Sequence, residues 1–346
     1  MQEIKLVLVG FGNVGQAFLR LLLDKQKYLS EKYGVQFLVT GIATGRHGFA
    51  VDSHGINLDE IMKIIEKKEP ISRLNTGYEI NSSHNFLETI QADVVFENTP
   101  VNHTDGQPAI DFITRSLKKG MHVITANKGP VAYAHNQLTQ LARQNKVHFL
   151  FESTVMDGAP IFSLFRSALP GVNLKGFSGI LNSCTNLLIE RMENGDSLEE
   201  ATEFARSIGI AETDPTADID GFDAAIKVSI LCQVLLNLPI LPGDVSRQGI
   251  RQISQGDIKL ARNEGKKWKL MCKAEQKGDI FNASVSPEKV SPVSPLYCVS
   301  GTSSAINFET DVLPGLGVIE SNPGPQTTAY GLLADLLYVL NNPIIQ

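Results

Sequence analysis

The sequence predicts an α/β fold, a doubly wound parallel sheet followed by a second, α+β domain, and three observations carry that reading. Apolar runs at 4–9, 35–43, 93–97, 122–125 and 147–151 alternate with helical patterns at 14–23, 110–118 and 136–145, the rhythm of strands and crossover helices. The rhythm changes after Glu152, where helical stretches at 198–207 and 222–237 precede several short strands beyond Lys269, broken by Pro287, Pro292 and Pro295. A chain of 346 residues also exceeds what one core ordinarily serves, because single cores stop growing near roughly 250–300 residues.

Taken in order, the run at 4–9 is almost wholly apolar and ends in glycines, as a strand buried on both faces does. A helix is expected from Val14 to about Leu23. Between Arg46 and Asn81 the alternation gives way to a polar loop and one amphipathic stretch at 58–69, read as an insertion on the first domain. That domain is expected over 1–152, with 320–346 returning to it because a Gly-Pro turn at Gly324 opens an apolar helix. The second domain then covers 153–319.

Composition narrows the class. Hydrophobic content of 42% and charged content of 20% are those of a globular protein. The net charge is −6, with Lys and Arg scattered among acids, so there is no basic stripe to track a phosphate backbone and nucleic acid is excluded as a partner. No apolar run approaches the ~20 residues that span a bilayer, and the start does not read as a secretory leader. Cys184, Cys232, Cys272 and Cys298 lie far apart with no Cys-x-x-Cys pair, which argues against a disulfide framework or thiolate zinc site and favours a cytoplasmic protein.

Gly10, Phe11, Gly12, Asn13, Val14 and Gly15 form Gly-x-Gly-x-x-Gly between a predicted strand and a predicted helix. In that context the pattern marks a Rossmann-type dinucleotide site. The first glycine makes the tight turn, the second admits the pyrophosphate and the third lets the helix pack closely. The second strand ends Ile42-Ala43-Thr44-Gly45-Arg46-His47 without the carboxylate that usually accepts the ribose hydroxyls of NAD. Thr44 and Arg46 there suit a 2′-phosphate, so NADP is expected, with NAD as the alternative. Thr99, Pro100, Lys128 and Gly324 complete the expected cofactor-binding set.

Lys128 follows a buried strand in Thr125-Ala126-Asn127-Lys128 and so stands at the carboxyl edge of the sheet, where ligands bind. Downstream, Asp223 and Lys227 are i and i+4 on one helical face. From Ala224 to Leu236 that helix is almost wholly apolar and Lys227 is its only charged residue, and a buried ammonium calls for a partner such as Asp223. A buried amine can exchange protons, and all seven histidines precede Cys184 and so none lies in this segment. Lys227 is therefore the expected proton-transfer group, with Lys128 assisting.

With its glycine-rich start, Thr125-Ala126-Asn127-Lys128, Gly179-Ile180-Leu181-Asn182, and the run Glu212-x-Asp214-Pro215, Asp218, Gly221, Asp223, Lys227, the chain resembles homoserine dehydrogenase over nearly its whole length. The resemblance implies NAD(P)-dependent interconversion of L-homoserine and L-aspartate 4-semialdehyde, in the threonine, methionine and isoleucine branch of amino-acid biosynthesis. It implies that Glu212 and Asp218 hold the substrate amino group, that Asp223 and Lys227 surround its hydroxyl, and that Lys128 reaches the reacting carbon. It implies a substrate-facing loop at Ser183 and Cys184, where many relatives carry Gly-Thr. It also implies a monovalent cation such as sodium near Glu152, Val155, Asp157 and Ala159, and a homodimer built through a substrate-binding and dimerisation domain. The short chain is expected to lack the carboxy-terminal regulatory module of many relatives.

Two rivals remain open on sequence alone. Asn182-Ser183-Cys184-Thr185-Asn186 is similar to the nucleophile loop of phosphorylating aldehyde dehydrogenases, with Cys184 as thiolate, although no histidine follows it. A Rossmann domain can also serve a non-catalytic dinucleotide sensor, a reading that the Asp223 and Lys227 pair argues against.

Overall fold

The computed structural model describes residues 1–277 and 280–344. The chain divides into two compact units, Met1–Gly158 with Gly324–Gln346, and Ala159–Pro323. In the first, β1 (Gln2–Val9), α1 (Asn13–Tyr33), β2 (Val35–Ala43), β3 (Phe49–Val51), α2 (Leu58–Glu66), α3 (Ser83–Thr89), β4 (Val94–Glu97), α4 (Ala109–Lys118), β5 (His122–Thr125), α5 (Lys128–Gln144) and β6 (Phe149–Leu150) are joined by a C-terminal helix, α11 in chain order (Pro325–Asn341).

The sheet runs β3-β2-β1-β4-β5-β6. From β2 to β6 its pairs are parallel, and β3 runs antiparallel to β2. Connection direction reverses at β1 and β4, and in open α/β sheets ligands bind outside the carboxyl ends of the strands at such a switch point. Beneath that edge Leu6, Leu8, Phe96 and Ile124 from the strands pack with Phe18 and Leu19 of α1 and with Leu332, Leu333 and Leu336 of α11 in one core.

Three expectations for this unit are corrected. Helix α1 continues past Leu23 to Tyr33. Beyond Leu22 it buries only Leu29, so apolar periodicity loses sight of a helix that ends instead at Gly34, in the left-handed region, where its N–H returns to the Ser30 carbonyl. The segment after Arg46 is not simply loop, since Phe49–Val51 adds β3. Helix α5 begins at Lys128, eight residues' worth of chain that the apolar pattern at 136–145 did not report, because Asn127 caps it through the Gly129 N–H and Pro130 falls in its first turn.

The unit boundary also lies beyond Glu152. The Glu152 N–H donates to Asp335 Oδ2 of α11 (2.8 Å), and Asp157 accepts from the Gly324 N–H (2.7 Å) and the Thr327 hydroxyl (2.8 Å) at the start of that helix. These bonds hold the segment through Gly158 with the first unit.

In the second unit β7 (Leu174–Ile180), α6 (Ser183–Glu193), α7 (Leu198–Ser207), α8 (Thr216–Ile219), α9 (Phe222–Leu235), β8 (Ser246–Arg247), α10 (Gln255–Asn263), β9 (Lys267–Lys277), β10 (Ile280–Val290), β11 (Ser304–Thr310) and β12 (Leu316–Glu320) follow in order. The sheet runs β12-β11-β7-β9-β10-β8, and α9 packs on β9 and β10 while α6 packs on β9. Strands β9 and β10 are long rather than short. Pro287 is tolerated inside β10 because β8 pairs only with Ser284 and Val285, so no ladder N–H is needed at 287 on that side. Among the described residues no helix is long and apolar enough to cross a membrane.

Candidate active site

The glycine-rich turn is built as its pattern requires. Gly10 has φ +88°, and a Cβ there would lie 2.4 Å from the Asn98 backbone carbon. Around Gly12 nothing lies within 4 Å, whereas a Cβ on Gly15 would press on Phe11 at 3.1 Å and on the Gly10 carbonyl at 3.2 Å. The three glycines thus make the turn, leave room for a ligand and allow close helix packing. Gly12 is the N-cap of α1 and supplies no side chain to it, so the first amides stay available to a phosphate. Beside them the Asn98 amide has its nitrogen and oxygen buried without a protein partner. An open second glycine and an orphaned amide at the switch point fit a dinucleotide.

The other expected cofactor residues fall as follows. Thr44 donates its hydroxyl to the Gly48 carbonyl (2.9 Å) and accepts the His47 N–H (2.8 Å), shaping an exposed loop that carries Arg46. The next carboxylate in sequence, Asp52, donates its N–H to Thr40, which sets it away from the carboxyl end of β2. Thr99 is bonded to Glu97, and Pro100 is exposed. Lys128 opens α5. The N–H of Gly324 is taken up by Asp157.

In the second unit one residue organises the site. Asn182 follows β7 by two residues and caps α6, its Oδ1 accepting the Thr185 N–H (2.8 Å) and hydroxyl (2.9 Å). Its Nδ2 therefore points the other way and donates to Asp218 Oδ1 (2.6 Å) and Asp223 Oδ2 (3.0 Å). Lys227 Nζ lies 3.5 Å from Asp223 and donates to the Leu181 carbonyl at 2.6 Å. The side chains of Lys227 and Asp223 are only 14% and 11% exposed. An amide, two carboxylates and an ammonium thus converge on the α9 face.

Of the residues expected here, Asp218, Asp223, Lys227 and Cys184 are brought together. Ser183 turns its hydroxyl to Ser304 at 3.2 Å. Glu212 is exposed in the loop before α8, with its carbonyl taken by Arg206. Asn182 was not expected as a site residue, and its signal was an Asx cap closing a buried strand. Glu97 was read only as a strand end, yet it is fully buried.

Cys184 is buried, and that burial, followed by the carboxylates of Asp218 and Asp223, holds its thiol far above the usual range. A thiolate nucleophile needs the opposite, electropositive setting. Cys184→Ala is expected to keep turnover within roughly threefold of the parent, and steady-state assays before and after alkylation would check it.

The segment named for a cation is braced against α11 at Glu152 and Asp157. Asp157 is engaged at the start of α11, the Ala159 carbonyl accepts from Ile161, and among the described residues no three His, Cys, Asp or Glu side chains gather as metal ligands. No step is derived through a cation.

Comparison with known proteins decides the family. The homoserine dehydrogenase model matches residues 160–337, and the model of the homoserine dehydrogenase NAD binding domain matches residues 10–152. The chain belongs to the homoserine dehydrogenase family. An NAD(+)-dependent homoserine dehydrogenase of Pseudomonas canavaninivorans is 35% identical, covering 98% of this chain and 97% of that protein. The homoserine dehydrogenase of Methanocaldococcus jannaschii is 36% identical over 97% of this chain and 98% of its own. Among solved structures, a hyperthermophilic archaeal homoserine dehydrogenase mutant in complex with NADPH superposes with a TM-score of 0.83 at 30% identity, covering 100% of both chains. The chain is accordingly an NAD(P)-dependent oxidoreductase acting on the CH–OH group, and its first unit is the nucleotide domain of that family.

Proposed function

We propose that this homoserine dehydrogenase interconverts L-homoserine and L-aspartate 4-semialdehyde by direct hydride transfer, serving threonine, methionine and isoleucine synthesis. The observation that carries the proposal is the cluster in which Asn182 and Asp218 meet Asp223 and Lys227 of the largely apolar helix α9. The nicotinamide cofactor supplies the hydride acceptor or donor. Asp218, with Glu212 on its flanking loop, attracts the substrate ammonium. Lys227 holds a proton at Nζ for the substrate oxygen, Asp223 orients that amine, and Lys128 assists. Nicotinamide absorbance with L-homoserine tests the reading, and absence of turnover with either cofactor would overturn it.

NADP is the proposed preference, supported by the missing carboxylate at the end of β2 and by Arg46 in the exposed loop there. The kcat/KM for NADP should exceed that for NAD by at least about tenfold, the order of one charge-assisted contact of ~1.4 kcal/mol or more. Equal or better use of NAD would contradict it. A homodimer through the second unit is supported by the edge strand β12, which leaves Ile319 65% exposed. Light scattering at micromolar concentration should give twice the chain mass, and a monomer would refute the pairing.

A further inference from the structure

Glu97 is the last residue of β4, at the switch point beside β1, and its side chain is fully buried. All the donors on its carboxyl group are neutral. Oε1 accepts the Thr99 N–H (2.9 Å) and the Thr99 hydroxyl, and Oε2 accepts the Thr125 hydroxyl (3.0 Å). Asn127 donates to the Thr99 carbonyl (3.1 Å) while capping α5. The Asn98–Thr99 peptide in turn backs directly onto Gly10. Glu97 therefore sits under the three turns that rim the carboxyl edge, after β1, β4 and β5. Across those turns, residues 10–15, 97–100 and 125–130, the only other charged side chain is Lys128.

An acid so placed holds its proton more tightly than an ordinary carboxyl. Burial holds its pKa above the ordinary carboxylate value, and the hydrogen bonds from Thr99, Thr125 and Asn127 only partly oppose that. A positive charge arriving at the edge would favour the ionised form, and a neutral group would not. Oxidised nicotinamide carries such a charge and reduced nicotinamide does not.

We propose that Glu97 senses the oxidation state of the bound cofactor, releasing its proton to solvent when the oxidised form binds and keeping it when the reduced form binds. The inference rests on the dinucleotide reading of this edge. It makes Glu97 a positioning residue that biases the relative affinity of the two forms. By linkage, rising pH should favour the oxidised form over the reduced one until the carboxyl is ionised in both complexes.

Calorimetric titration with NADP+ and with NADPH, in two buffers of different ionisation enthalpy near pH 7, reads the proton directly. The 2′-phosphate is common to both forms and cancels in the difference. NADP+ should release more protons than NADPH, and in Glu97→Gln that difference should vanish while the affinity ratio shifts about tenfold toward NADPH. The glutamine keeps the shape, accepting the Thr99 N–H and donating to Thr125. Should it not fold, the parent alone suffices, because the NADPH to NADP+ Kd ratio must climb with pH. Equal proton release for both forms, an unchanged difference in Glu97→Gln, or a pH-independent ratio would overturn the proposal. Failure of both cofactors to bind would instead overturn the dinucleotide reading.

Discussion

Lys227→Ala is expected to lower kcat by about 10² to 10⁴, the range that a positioned acid or base contributes, with little change in cofactor affinity. The physical reason begins with the helix. Ten residues of α9 are buried, so the amine projects from an apolar surface with few solvent contacts. Its two fixed neighbours, the Leu181 carbonyl at 2.6 Å and the Asp223 carboxylate at 3.5 Å, both accept. They hold the protons of the amine in a set direction, which alanine abolishes. Removing the cation also leaves Asp223 and Asp218, which share the Asn182 amide, without its charge beside them. A folding control by circular dichroism is therefore part of the test. A folded Lys227→Ala enzyme with near-parent kcat, measured by NADPH absorbance, would move the role to Lys128 or to water.

How much of this was legible depended on how local the cause was. The glycine turn was readable because three glycines, a strand and a helix lie within one short stretch, and Gly10 and Gly15 meet the steric demands that the pattern encodes. Asp223 and Lys227 were readable for the same reason, since one turn of helix brings them together. Asn182 was not, because its partners Asp218 and Asp223 are 36 and 41 residues away, and no periodicity reports a contact made by bringing the start of α6 to α8 and α9. Glu97 was hidden in a different way. As the last residue of a four-residue strand it looked like a polar edge, and only the threonines of two separate turns closing over it make it a buried acid. The second half of α1 and the opening of α5 escaped because they are fixed by caps, at Gly34 and Asn127, rather than by apolar spacing. Glu212 illustrates the converse, a residue that motif spacing grouped with the cluster while the chain between Gly209 and α8 leaves it exposed.

Asn182→Ala should cost about 2.5–4 kcal/mol of stability and lower kcat/KM for homoserine by about 10²-fold, leaving cofactor affinity unchanged. The stability estimate has two parts. Losing the α6 cap costs about 1 kcal/mol, and losing a buried amide that bonds two carboxylates adds roughly 1.5–3 kcal/mol. The catalytic part follows because Nδ2 is the donor shared by Asp218 and Asp223. Without it the two carboxylates repel and turn apart, and a loss of about 2.7 kcal/mol in transition-state binding is a hundredfold in rate. Asn182→Asp separates the two roles. Its side chain still accepts the Thr185 N–H, so the cap survives, but it replaces the shared Nδ2 donor with a third carboxylate. That variant should have kcat/KM below that of Asn182→Ala at pH 8, and should recover part of the loss as the pH falls and one of the three acids takes a proton. Urea midpoints and kcat/KM profiles between pH 6 and 8 measure both effects. If Asn182→Ala kept the parent's kcat/KM, the two carboxylates would be held by other means and the amide would be only a helix cap.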